Sequence, residues 1–191
     1  MTDNAAASKR NWIAPSLVVL MFVLPIVVAW WYSSQSTLED GRALSNRGIL
    51  IRPPLDLREH AALTPLAGIP LAPGEWAVVH FTDGPCDATC ESGIARAQAV
   101  YKVLGHDGTR VRLVALGAPP KTNVPVVRIL DDLAAARNLA DLLRAKVGDL
   151  PRSASVLLDW RGQIMMLYNG EHGPADLKKD LKRLLRGSKI R

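Results

Sequence analysis

Apolar positions follow two patterns along this chain. From Ile13 to Tyr32 runs IAPSLVVLMFVLPIVVAWWY, twenty residues without a charge. At helical rise this covers roughly 30 Å, the thickness of a hydrocarbon core. From Trp76 onward, short apolar runs alternate with segments of helical period. WAVVHFT (76–82) has the β-branched and aromatic content of a buried strand. Cys90, Ile94, Ala97, Tyr101 and Leu104 then fall at steps of four and three, predicting a helix that Gly105 closes. RVRLVAL (110–116) predicts a second strand. Asp131 is expected to cap a helix through Lys146, with Leu133, Leu139, Leu142 and Leu143 on one side and Gly148 as its stop. SVLLD (155–159) and QIMMLY (163–168) flank the turn Trp160-Arg161-Gly162 as a hairpin, and Gly173 with Pro174 opens a last helix.

Residues 33–47 are polar and without periodicity, as suits a tether, and Gly48 to Gly74 carries five prolines, which predicts extended segments along the domain. The order from Trp76 is β, α, β, α, β, β, α, with cysteines where the first strand meets the first helix. That is the thioredoxin arrangement; a flavodoxin-like doubly wound sheet, the alternative, would lack the hairpin before the final helix. The expected fold class is α/β, a thioredoxin-like domain preceded by a single N-terminal transmembrane helix. The regions are a cytoplasmic tail (1–11), the transmembrane helix (12–32), a linker with the proline-rich segment (33–74) and the thioredoxin-like domain (75–191).

Composition narrows the class. With 191 residues, 48% apolar, 22% charged and two cysteines, the chain is neither disordered, nor collagen-like, nor a disulfide-stapled miniprotein. Lys9 and Arg10 precede the apolar run while Glu39 and Asp40 follow it, so the positive-inside bias places the N-terminus in the cytoplasm and the folded domain outside it, which for a bacterial inner-membrane protein is the periplasm. Trp12 at one end and Trp30, Trp31 and Tyr32 at the other read as interfacial anchors. A cleaved signal peptide is the alternative, but Trp stands where a small-residue cleavage motif is needed. The net charge of +6 resides in KKDLKRLLRGSKIR (178–191), which holds seven basic residues and one acid, so no basic groove is left for nucleic acid. This tail reads as an amphipathic helix whose charges form a solvated face or meet anionic headgroups or an acidic partner.

The chemistry centres on Cys86 and Cys90, a C-x3-C pair whose spacing on a helix places both sulfurs on one face. Cys86 is expected at the helix start, where free N–H groups and the dipole favour a thiolate, with Cys90 as resolving partner. A purely structural disulfide closing so short a loop would constrain the unfolded chain little. His80 interrupts an apolar strand six residues before Cys86; it is either a proton acceptor for Cys90 or a hydrogen-bonded core histidine. His172, in the loop NGEHG, is a weak candidate metal ligand, and His60 and His106 are weaker. Met165 and Met166 alternate on a strand, so packing is favoured over ligation. No G-x-S-x-G or phosphate-loop motif is present.

The N-terminal span, HFTDGPCDATCESG after an apolar strand, and LLDWRGQIMMLY followed by DLKKDLKRLLRGSKI resemble the Sco/SenC proteins over roughly residues 44 to 191. These are membrane-anchored, thioredoxin-like factors that help build the copper site of cytochrome c oxidase. The resemblance implies a copper-containing oxidase subunit or another assembly factor as partner. It also implies thiol-disulfide exchange at Cys86 and Cys90, with Cu(I) carriage by the same pair or a non-catalytic scaffold as alternatives. The family's third copper ligand is a histidine, and the matching position here is Pro151. No resident cofactor is therefore required, and copper is at most held by Cys86 and Cys90 with help from His172. A reporter enzyme active only outside the cytoplasm, fused after Arg191, is expected to be active, and the chain is expected to stay with membranes through a high-salt wash.

Overall fold

The computed structural model describes residues 15–28, 30, 46–122 and 124–188. The chain divides into two units, Met1–Leu44 and Ser45–Arg191. In the first, residues 15–28 are helical and their large apolar side chains are exposed. Both ends of the expected 12–32 span lie outside the described residues, and among those described no helix is long and apolar enough to cross a membrane.

The second unit is a six-stranded mixed sheet with helices on both faces. Its elements are β1 (Ile49–Asp56), α1 (Thr64–Ala67), β2 (Trp76–Thr82), α2 (Ala88–Leu104), β3 (Val111–Leu116), β4 (Val127–Leu130), α3 (Leu133–Val147), β5 (Ser153–Asp159), β6 (Gln163–Tyr168) and α4 (Pro174–Gly187). The strand order is β1-β6-β5-β2-β3-β4. β2, β3 and β4 run parallel, while β5, β6 and β1 alternate antiparallel to their neighbours. The strand period of two divides the core. Ala77, Val79 and Phe81 of β2 pack with Ala136, Leu139 and Leu143 of α3 on one face, and Trp76 and Val78 pack with Ala97 and Val100 of α2 and Leu177 and Leu181 of α4 on the other. His80 has the parity of the second face.

Several details depart from the sequence reading. β4 is an additional strand: four half-exposed or exposed residues at the sheet edge, after a segment broken by prolines, present no alternation to read. The proline-rich stretch contributes β1, whose Pro53 and Pro54 sit on the outermost strand where the register with β6 shifts between Leu50 and Leu55. Asp132 rather than Asp131 caps α3, accepting from Ala135 N at 2.9 Å. The methionine pair follows its expected alternation, with Met166 buried and Met165 only partly so.

The first described stretch of the unit is fastened to the last helix. Asp180, on α4, is buried, and its Oδ2 accepts from Arg47 N (2.8 Å), Gly48 N (2.9 Å) and the Tyr168 hydroxyl (2.9 Å). A Cβ on Gly48 would lie 2.6 Å from Tyr168 Cζ, so only glycine lets the chain pass over that ring. Burial and the neighbouring Asp180 raise the Tyr168 phenol far above its ordinary pKa, which keeps it a donor. Asp180 Oδ1 has no hydrogen-bond partner among the described residues. Asp180→Asn can present its oxygen to the same three donors and is expected to cost little. Asp180→Ala, which orphans all three, is expected to cost roughly 2–4 kcal/mol in chemical denaturation.

Candidate functional site

β2 ends at Thr82 and the turn Asp83-Gly84-Pro85 delivers Cys86 to the head of α2. Cys86 and Cys90 form a disulfide with Cα atoms 5.2 Å apart. Cys86 precedes the helix instead of opening it, because Asp87 is the N-cap, its carboxylate accepting from Cys90 N at 3.0 Å. This corrects the expectation of both cysteines on one helical face. It also means that an aspartate already occupies the positive end of the helix, so the dipole stabilises a Cys86 thiolate less than the spacing implied. The sulfurs lie among Ile94, Ala115, Ala118, Val124 and Val127. Both are buried, Cys86 at 8% exposure and Cys90 at 1%, so Cys86 is the more accessible of the two.

The turn is held from α3 and from the approach to β5. Asp83 pairs with Arg144, its second oxygen lies 3.7 Å from Arg152 Nε, and its carbonyl accepts from Arg137 Nε at 3.2 Å. Asp83 N also donates to Arg152 O at 3.0 Å. Two guanidinium groups on the carboxylate and a third on the main-chain carbonyl, with Asp141 also paired to Arg144, bring positive charge to the turn that precedes Cys86.

His80 lies in the core, 5% exposed, with Nδ1 2.9 Å from Ser155 Oγ and Nε2 2.8 Å from Ser153 Oγ. The ring presses on α2 where Gly93 has no side chain: a Cβ there would stand 2.1 Å from its Cε1. Desolvation first and the Arg96 charge second lower its pKa to about 4, against a hydrogen bond to the Cys90 backbone that raises it. The imidazole is therefore neutral at pH 7, and both its nitrogens bond to serines. Ser153, Ser155 and Gly93 escaped the sequence reading. Their signals were an S-x-S alternation in an otherwise apolar strand and an isolated glycine inside a helical pattern.

The other candidates stand apart. His172 is in the turn before α4, Nδ1 2.6 Å from Asn169 Oδ1 and its ring edge-on to Tyr168 with centroids 5.7 Å apart. It shares with His80, Arg96 and Pro151 a cavity of about 60 Å³, room for a few waters and not for a substrate group. Pro151 also lines a hollow against Pro85 and Asp87, facing the cysteine turn without a donor atom to offer. Among the described residues no group of three or more His, Cys, Asp or Glu side chains is placed to hold a metal. The donor set is two sulfurs, which does not fit the three-ligand copper site that the Sco resemblance implies.

Stability should carry the signature of the buried imidazole. Its folded pKa of about 4 lies below the ordinary 6.5, so the unfolded chain binds the extra proton between these values. Stability is then complete above about pH 6.5 and falls as pH drops toward 4, by up to ~3 kcal/mol. Urea denaturation at a series of pH values is expected to show this slope in the wild type and its loss in His80→Gln, which can still bond to the serines.

A search of the curated proteins returns no match. Among solved structures, the chain is similar to copper-bound ScoI of Bradyrhizobium japonicum at 16% identity, covering 72% of this chain and 98% of that one with a TM-score of 0.41. It is similar to the apo Sco1 protein of Thermus thermophilus at 14% identity, covering 62% and 83%, with a TM-score of 0.46. GPX1 of T. cruzi gives 17% identity, 61% and 86% coverage and a TM-score of 0.43. The family model described as "Transmembrane-like, thioredoxin-like, C-terminal domain" matches residues 76–188, from the first residue of β2 through α4. With the cysteine pair at the β2–α2 junction and the β5–β6 hairpin before the last helix, the chain belongs to that transmembrane-like, thioredoxin-like family.

Proposed function

We propose that the chain is a membrane-anchored thiol-disulfide exchange factor of the Sco/SenC type, acting in the periplasm on the copper-site cysteine pair of a cytochrome c oxidase subunit. The observation that carries the exchange chemistry is the unequal burial of a linked cysteine pair at the head of α2, Cys86 at 8% exposure and Cys90 at 1%. The oxidase as target is supported by the resemblance of HFTDGPCDATCESG and the C-terminal segment to that family. The anchor is supported by the uncharged run from Ile13 to Tyr32 and its flanking charges.

In the reduced chain the Cys86 thiolate attacks one sulfur of the substrate disulfide. A mixed disulfide forms, and the displaced substrate sulfur leaves as a thiolate that takes a proton from water. Cys90 gives up its proton, for which neutral His80 is the nearby buried base, and its thiolate attacks Cys86 Sγ. The substrate leaves as a dithiol and the chain as the Cys86–Cys90 disulfide, which an external dithiol must reduce for another turnover. Proton acceptance by His80 requires one of its serine bonds to open, because both ring nitrogens are engaged.

Cys90→Ser is expected to accumulate a covalent complex with the partner that dissolves on adding dithiothreitol, and Cys86→Ser to form none. The readout is the adduct on non-reducing gels of membranes. Absence of any adduct, together with tight stoichiometric Cu(I) binding by the wild-type chain, would overturn exchange in favour of copper as cargo on the two sulfurs. Assembly that survives a Cys86→Ser/Cys90→Ser double variant would reduce the chain to a scaffold.

A further inference from the structure

α4 is the most strongly amphipathic element of the folded unit, and its outer face is cationic. Leu177, Leu181 and Leu185 are buried on one side. Lys178, Lys179, Lys182, Arg183 and Arg186 fall opposite them, within roughly 140° of arc at helical geometry. Both acids of the helix are withdrawn from this face: Asp176 accepts from Gly173 N at 3.0 Å in the N-terminal cap, and Asp180 is buried under Tyr168, Arg47 and Gly48. None of the five cations takes part in an ion pair among the described residues. Lys179, Arg183 and Arg186 are exposed, and Lys178 and Lys182 half-buried. Arg110, by contrast, is spent on the carbonyls of Leu185 and Ser188 at the end of the same helix.

A second observation says what this face meets. Asp180, midway along α4, is the group that grips Arg47 and Gly48, so the chain leaves the folded unit toward its N-terminus at α4 itself. Residues 33–45, between that point and the apolar run, can span at most about 45 Å. The same chain thus presents an apolar helix at 15–28 with exposed large side chains, and a cationic helix face, free of ion pairs among the described residues, at the root of the tether that follows it. An apolar segment together with a polybasic surface is the two-signal combination that anionic bilayers hold well. We infer that the cationic face of α4 docks the folded unit onto the anionic headgroups of the bilayer in which the chain is anchored. This rests on the anchor reading above and adds to it an orientation, with α4 toward the lipid. An acidic protein is the competing occupant, but nothing on the face besides charge selects one, whereas the tether brings headgroups within reach.

The test uses the full chain, oxidised so that Cys86 and Cys90 are tied. Gly187→Cys then supplies one free thiol at the end of α4, where an added Cβ meets nothing within 4 Å. A donor fluorophore on that thiol and an acceptor on lipid headgroups report the distance of α4 from the surface. In vesicles of phosphatidylcholine mixed with phosphatidylglycerol, high energy transfer is expected at low salt, lost in molar salt; in phosphatidylcholine alone it should be low throughout. Each cation near an anionic surface is worth about fivefold in the docked-to-free ratio, so Lys179→Glu/Arg183→Glu/Arg186→Glu should lower it by roughly a hundredfold or more. The milder Lys179→Gln/Arg183→Gln/Arg186→Gln variant should give a smaller loss in the same direction. Equal transfer in both lipids, or a lipid difference that survives in the charge-reversed variant, overturns the inference and passes the face to an acidic protein. Anchoring is read separately, by flotation of the chain with vesicles in molar salt. Loss of that flotation, with lipid-dependent flotation kept at low salt, would overturn the anchor and leave the docking face standing.

Discussion

The position of the cysteine helix depends on one buried ring. His80 rises from β2 into the face otherwise filled by apolar side chains, and the hydroxyls of Ser153 and Ser155 on the neighbouring β5 hold it at both nitrogens. An imidazole in such a place would cost several kcal/mol if either nitrogen were orphaned, so the serines are a condition of its burial. The helix completes the arrangement by supplying Gly93, whose missing side chain lets the ring sit against the backbone one turn beyond Cys90. Three elements, β2, β5 and α2, thus meet at one residue, and the height of α2 above the sheet follows from its thickness. Cys90 is placed by this contact, and Cys86 by the turn before it.

Electrostatics around that turn run in opposite directions. Asp87 satisfies the first free amides of α2 and in doing so puts negative charge where a thiolate would gain from the helix dipole. Arg137, Arg144 and Arg152 gather on Asp83, three residues before Cys86, and return positive charge to the same rim. The same arginines fix the turn to α3 and to the approach to β5, and so locate the sulfur.

On the same face of the sheet, Asp180 does for the start of the folded unit what His80 does for the cysteine helix. A single buried carboxyl collects two backbone amides and a phenol, joining residues 47–48, β6 and α4. Turning that acid inward, with Asp176 held in the cap, also keeps negative charge off the cationic face of α4. Fold stability and surface charge are therefore coupled through one side chain.

The order of elements, the hairpin, the cysteines at the first strand–helix junction and the amphipathic last helix were legible in the sequence, because each is written in local periodicity or turn chemistry. The uncharged N-terminal run and the concentration of net charge after residue 177 are likewise properties of composition alone. β4 was not legible, since a four-residue edge strand with no buried face has no period. Nor was the strand formed by the proline-rich stretch, whose pairing is supplied by β6 from more than a hundred residues away. The partners of His80 were invisible for the same reason: Ser153 and Ser155 reach it only through the register of β2 with β5, and Gly93 only through helix packing. Cysteine identity and spacing are local, but the unequal burial of the two sulfurs, the loss of the dipole to Asp87 and the arginine rim are decided by elements that meet only when the chain has folded.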